Sequence, residues 1–130
     1  MSLIVDTSVI ISVITNEKSK TKLIKAAEGE DLIAPSSLHW EIGNAFSAMF
    51  KRKKIEIDSA KEAIEYYKMI PLRLVEVDIY KSLELSHQYN IYAYDAYFLE
   101  CARDYNLPLL TVDNHLLELA KQMNINVIEV

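Results

Sequence analysis

The chain has one cysteine, two glycines and three prolines in 130 residues, and no apolar run near the ~20 residues that a membrane-spanning helix needs. Cys101, alone, cannot close an internal disulfide, and a lone thiol fits a reducing compartment. So little glycine and proline excludes collagen-like and low-complexity chains. No basic segment precedes the first apolar residues, and Asp6 interrupts them, so no signal peptide is expected and the cytoplasm is the expected location. Basic residues are also in deficit. Fourteen Lys and Arg against nineteen Asp and Glu give a net charge of -5, which taken alone argues against a nucleic-acid partner. What is plentiful is apolar residues, at 51%. A chain of this length can bury roughly 68% of its unfolded surface without metal or disulfide staples, so one domain over residues 1–130 is expected.

Short β-branched runs alternate with longer helical patterns, the signature of crossover units feeding a parallel sheet. Five runs read as strands: Leu3–Val5, Leu32–Ala34, Leu74–Val77, Leu109–Val112 and Val127–Glu129. The intervals between the first four hold one or more helices each, as parallel neighbours require. The expected fold is a three-layer α/β/α sandwich around a mostly parallel five-stranded sheet. Ser36 or Ser37 is expected to cap a helix running to about Lys53, Ser59–Glu62 has capping-box spacing, Asp78 caps the next helix, and Asn106-Leu107-Pro108 stops the helix that begins near Tyr94. Thr15–Lys18 breaks the pattern between Ser8 and Gly29 into two helices.

Asp6 and Asp113 are each the first charged residue after an apolar run, and so fall at the carboxyl ends of strands one and four. In open α/β sheets the crevice beyond those ends, where strand order reverses, takes the ligand. If strands one and four flank that reversal, the two carboxylates face one another. Glu41 lies early in the helix after strand two, beside the stripe Leu38, Ile42, Ala45 and Met49, on a face with Asn44 and Ala48. Asp95 opens an otherwise apolar helix. Each acid has a plain structural role available: Asp6 and Asp113 as N-caps, Asp95 as a first-turn charge worth ~0.3–1 kcal/mol, Glu41 as a solvated helix residue. All four nevertheless map to one edge of one sheet. Several ionised carboxylates in a partly buried cleft must share protons or be neutralised by a cation. With no His or Cys interleaved the donors are all oxygen, which suits Mg²⁺ or Mn²⁺ and hydrolysis at phosphorus.

The set Val5-Asp6-Thr7-Ser8, Glu41-Ile42-Gly43-Asn44-Ala45, Asp95-Ala96 with Ala102, and Leu110-Thr111-Val112-Asp113 resembles the PIN-domain nucleases, in particular the VapC-type toxin ribonucleases of toxin–antitoxin modules. The resemblance spans essentially the whole chain. It implies a metal-dependent endoribonuclease that leaves a 5′-phosphate and a 3′-hydroxyl. Asp6, Glu41, Asp95 and Asp113 would be the catalytic and metal-binding acids, with Thr7, Ser8, Asn44 and Thr111 in support. A homodimer and a cognate antitoxin that occludes the pocket are implied as well. Without those four acids, fifteen acids face fourteen basic residues, so the remaining surface is close to neutral.

Lys51, Arg52, Lys53 and Lys54 are candidate RNA contacts, and Lys18, Lys20, Lys22 and Lys25 form a second basic cluster. Cations also simply suit a helix C-terminus. Tyr92, Tyr94 and Tyr97 flank Asp95 and offer base stacking, although packing is the commoner use of tyrosine. Trp40, with Phe46 or Phe50, lies off the core stripe and is expected at a dimer or antitoxin surface. His39, His87 and His115 lack metal-ligand spacing, and Cys101 has no paired histidine that would make it a nucleophile. The rival readings are a receiver-like Mg²⁺-binding phosphoacceptor domain, a housekeeping RNA-processing nuclease and a silent binding module. The receiver reading lacks paired acids after strand one, and the chain ends without a lysine after strand five.

Overall fold

The computed structural model describes residues 1–130. In chain order the elements are β1 (Ser2–Val5), α1 (Thr7–Ile14), α2 (Lys20–Ala27), β2 (Asp31–Pro35), α3 (Ser37–Lys51), α4 (Ile57–Met69), β3 (Leu72–Val75), α5 (Ile79–Tyr89), α6 (Ala93–Tyr105), β4 (Leu109–Leu110), α7 (Asn114–Gln122) and β5 (Val127–Ile128). All strand pairs are parallel, in the order β3-β2-β1-β4-β5. A receiver-like arrangement would place its strands 2-1-3-4-5, so the phosphoacceptor reading fails on topology. Right-handed crossovers toward β2 and β3 carry α1–α4 to one face, and those toward β4 and β5 carry α5–α7 to the other. Accordingly α1 packs on α3 and α4, while α6 lies across β1 and β2 and against α5.

The core is continuous through both layers. Leu3, Ile4, Leu109 and Leu110 of the central pair are at most 2% exposed, and each such side chain contributes ~1.5–3 kcal/mol by leaving water. The chain leaves α5 and α6 through Asn90 and Asn106, both at φ 53. Asparagine tolerates this left-handed conformation better than most side chains, which is why Asn106 stops α6 where expected. Asn16, at φ 62, separates α1 from α2 in the same way.

Four expectations need correction. β3 covers Leu72–Val75 rather than Leu74–Val77, because its register is fixed by backbone pairing of Leu32–Pro35 with Leu72–Val75. β4 ends at Leu110, two residues early; Thr111 and Val112 turn toward α7. α4 begins at Ile57 without a side-chain cap at Glu56, leaving Ser59 inside the helix rather than at its cap. Phe46 is buried at 4% exposure, since it follows Leu38 and Ile42 at four-residue spacing on the buried face of α3.

Candidate active site

β1 is flanked by β2 on one side and β4 on the other, and Ile4 and Val5 pair with Leu109 and Leu110. The chain steps outward from β1 to β2 and β3 on one side and, after returning, from β4 to β5 on the other, so the switch in strand order lies between β1 and β4. Asp6 follows one of these strands and Thr111–Asp113 follow the other. The Asp6 N–H still bonds the Leu110 carbonyl at 3.4 Å, and beyond it the edge is closed by side chains.

Asp6 is only 5% exposed. Its Oδ1 accepts from the Ser8 hydroxyl at 2.7 Å and from the Val9 N–H at 3.2 Å, capping α1. Its Oδ2 accepts from the Thr111 hydroxyl at 2.7 Å. Thr111 Oγ1 in turn accepts from the Asp113 N–H at 3.0 Å, and Ser8 Oγ accepts from the Val112 N–H at 3.2 Å. The two strand ends are thus laced together through two hydroxyls. Asp113 caps α7, accepting from His115 and Leu116 N–H groups at 2.9 and 3.1 Å, while its side chain remains exposed. The capping roles foreseen for Asp6 and Asp113 are therefore real, and they coexist with convergence at the site.

Glu41 is partly buried on α3, where Ser37, one turn earlier, donates to its Oε2 at 3.2 Å. The Thr7 hydroxyl is buried and has no partner at hydrogen-bonding geometry, yet it stands near enough to Glu41 to hold that carboxyl's proton affinity down. Thr7 is thus an unsatisfied donor facing Glu41. Asp95, partly buried in the first turn of α6, completes the ring.

Burial pushes the Asp6 carboxyl up to about 6, opposed by the Ser8, Thr111 and Val9 hydrogen bonds and assisted by repulsion from Asp113. Burial likewise takes Glu41 up to about 7, opposed by Ser37 and Thr7, with Asp6 and Asp95 adding repulsion. Asp95 is raised by burial and by Asp113, and His115 partly offsets this. The four acids therefore sense one another across a single crevice.

The donors are all oxygen, they repel one another, and an unsatisfied hydroxyl faces them. In kind and in charge this set fits a hard divalent ion. As the side chains stand, no three of the acids are grouped closely enough to hold one ion; Asp6 is fixed by its three hydrogen bonds, whereas exposed Asp113 is held through only one carboxylate oxygen.

Other residues fall outside this network. The Asn44 side chain is exposed and only its carbonyl is engaged, by Ser47. Lys51–Lys54 lie at the far end of α3, ten residues and so about 15 Å along the axis from Glu41. Trp40 is 73% exposed, edge-on to His39 at 4.8 Å, and His39 Nδ1 is 3.0 Å from the Tyr67 hydroxyl. Tyr92 and Tyr94 are exposed, while Tyr97 is partly buried. Burial drives the Cys101 thiol up to about 12, consistent with a packing role. Sequence reasoning missed Ser37, whose signal was its one-turn spacing before Glu41.

An open parallel sheet with oxygen donors gathered where strand order reverses defines an α/β protein whose ligand crevice lies beyond β1 and β4. Residues 3–122 match the PIN domain family model, and the chain belongs to the PIN domain family. This is a nuclease family, acting on nucleic acids and generally using divalent metal ions. Among solved structures, the chain is similar to PAE2754 from Pyrobaculum aerophilum, at 20% identity and a TM-score of 0.70 over 91% of this chain and 78% of that one. It is also similar to VapBC2 from Rickettsia felis bound to a promoter DNA fragment, at 14% identity and a TM-score of 0.69 over 98% of both chains. A toxin–antitoxin complex from Klebsiella pneumoniae matches at 15% identity and a TM-score of 0.57, over 86% and 87% of the two chains. At these identities the likeness is one of fold. The search of curated proteins found no match. No helix is long and apolar enough to cross a membrane.

Proposed function

We propose that residues 1–130 form a single PIN domain that cleaves RNA phosphodiesters with Mg²⁺ or Mn²⁺, as the toxin of a toxin–antitoxin module. The observation that carries this reading is that Asp6, Glu41 and Asp95 all have their proton affinity raised, by burial first and then by neighbouring carboxylates. Asp6, Glu41 and Asp95 would hold the ion, with Asp113 assisting directly or through water. When bound, a divalent ion supplies positive charge that offsets the carboxylates and activates water for attack on phosphorus.

The chain's own groups do the positioning. Ser8 and Thr111 fix both oxygens of Asp6, and Ser37 orients Glu41. Water oxygen joins phosphorus, the P–O3′ bond breaks, and a proton passes to O3′, leaving a 5′-phosphate and a 3′-hydroxyl. Lys51, Arg52, Lys53 and Lys54 would contact the strand away from the scissile bond. A cytoplasmic location, a homodimer and a cognate antitoxin belong to the same reading. The toxin–antitoxin complexes among the structural neighbours support the antitoxin. The test is cleavage of a panel of structured RNAs across a Mg²⁺ and Mn²⁺ titration. Metal-dependent cleavage by the native chain, lost in Asp6→Asn and Asp95→Asn, is expected; equal cleavage by native and substituted chains, with contaminants excluded, overturns the reading.

A further inference from the structure

A cleft of about 430 Å³ opens beside the acidic crevice, between the start of α2 and the chain following β4 and β5. Thr111 and Asn114 form one wall and Lys18, Ser19 and Lys22 the other. Two features mark it. It shares a residue with the site, because Thr111, which lines it, donates its hydroxyl to Asp6 at 2.7 Å. It also carries two exposed lysines, Lys18 and Lys22, neither of which enters an ion pair. The one acid side chain on its lining, Glu129, is already engaged by Lys121 at 2.8 Å.

Spacing accounts for the selection. Lys18, in the turn before α2, and Lys22, in the first turn of α2, line the same cleft, whereas Lys20 lines a separate depression with Glu62 and Tyr66. The basic groups placed beside the acids are therefore two residues at the start of α2, while the longer run at Lys51–Lys54 lies about 15 Å along α3 from Glu41.

We propose that this cleft is a phosphate subsite, in which Lys18 and Lys22 hold the phosphodiester next to the scissile one on a single-stranded RNA, with Ser19 and Asn114 offering hydrogen bonds to phosphate or ribose oxygens. The proposal rests on the nuclease reading above. Paired ammonium groups over a hydroxyl and an amide match a phosphodiester flanked by ribose. Continuity with the acids requires a ligand that extends from the cleft to a reacting phosphorus, which a nucleic-acid strand does and an acidic peptide does not.

The test is binding rather than turnover. A fluorescent single-stranded oligoribonucleotide is titrated by anisotropy across a KCl series, on an Asp95→Asn background so that the strand survives, with and without Mg²⁺. Adding K18A/K22A is expected to weaken binding and to flatten the slope of log affinity against log salt by about 0.7, the value for one neutralised phosphate on a single strand. K51A/R52A in place of K18A/K22A is expected to change the slope less. An unchanged slope in K18A/K22A, with unchanged thermal melting, overturns the subsite and leaves the nuclease reading standing. A loss on poly-glutamate as large as that on the oligonucleotide overturns the assignment to a phosphodiester. If the parent chain binds no oligonucleotide with or without Mg²⁺, the nuclease reading falls with the subsite.

Discussion

Replacing Asp6 with asparagine is expected to make the metal-free protein more stable at neutral pH while removing its function. The carboxyl is 5% exposed, and burial carries it from an ordinary 3.8 to about 6. A raised carboxyl favours the native state when protonated: the stability it brings is fully present below pH ~4 and is lost as pH rises through about 6. The gap between 3.8 and about 6 corresponds to ~3 kcal/mol at ~1.4 kcal/mol per tenfold change. The substituted asparagine would keep the shape, cap α1 as well as aspartate does, and offer an oxygen to Ser8 and Val9 and an amide to Thr111. It would lose the charge-assisted strength of those bonds, worth ~1 kcal/mol or so. The net expectation is a gain of ~1–2 kcal/mol at pH 8 that vanishes near pH 4. Urea denaturation in EDTA at both values measures it. A loss of stability in Asp6→Asn that is the same at both values would refute the reasoning, because the buried charge would then carry no cost.

Thr111→Val keeps volume but strips the donor from Asp6 Oδ2 and the acceptor from the Asp113 N–H. It is expected to destabilise by ~1–3 kcal/mol in chemical denaturation and to raise the Asp6 carboxyl further, seen as an upward move in its NMR titration. Asp78→Ala removes the carboxylate that accepts from the Lys81 N–H at 3.1 Å and is expected to lower stability by ~1 kcal/mol without altering nucleic-acid cleavage.

The alternation of apolar runs with helical patterns carried the fold class, because strand burial on both faces and amphipathic helices are written in local composition. The adjacency of β1 and β4 was not local. Nothing between Val5 and Leu109 states which strands pair, so the meeting of Asp6 with Thr111 depends on the path of the intervening helices. Short-range capping rules succeeded at Asp6, Asp78 and Asp113, where a side chain does bond the backbone. They failed at Ser59, because α4 starts by packing Ala60 and Ala63 into the core rather than by a cap. Phe46 was misplaced for a different reason, since the expected stripe passes through Ala45 and Met49 whereas the buried row runs Leu38, Ile42, Phe46 at four-residue spacing. Basic residues were visible as runs, yet only the fold shows that Lys18 and Lys22 line a cleft beside Thr111 while Lys51–Lys54 end at the opposite end of α3.

Divalent-ion binding by the acids beyond β1 and β4 underlies the proposed nuclease chemistry. Direct titration of Mn²⁺, followed by calorimetry or by the loss of free-ion paramagnetic signal, tests it without any substrate. Saturable binding to the native chain is expected, weakened in Asp95→Asn and abolished in Asp6→Asn, with proton release at pH 6 as raised carboxyls ionise. Binding of equal affinity to native and Asp6→Asn chains would contradict it.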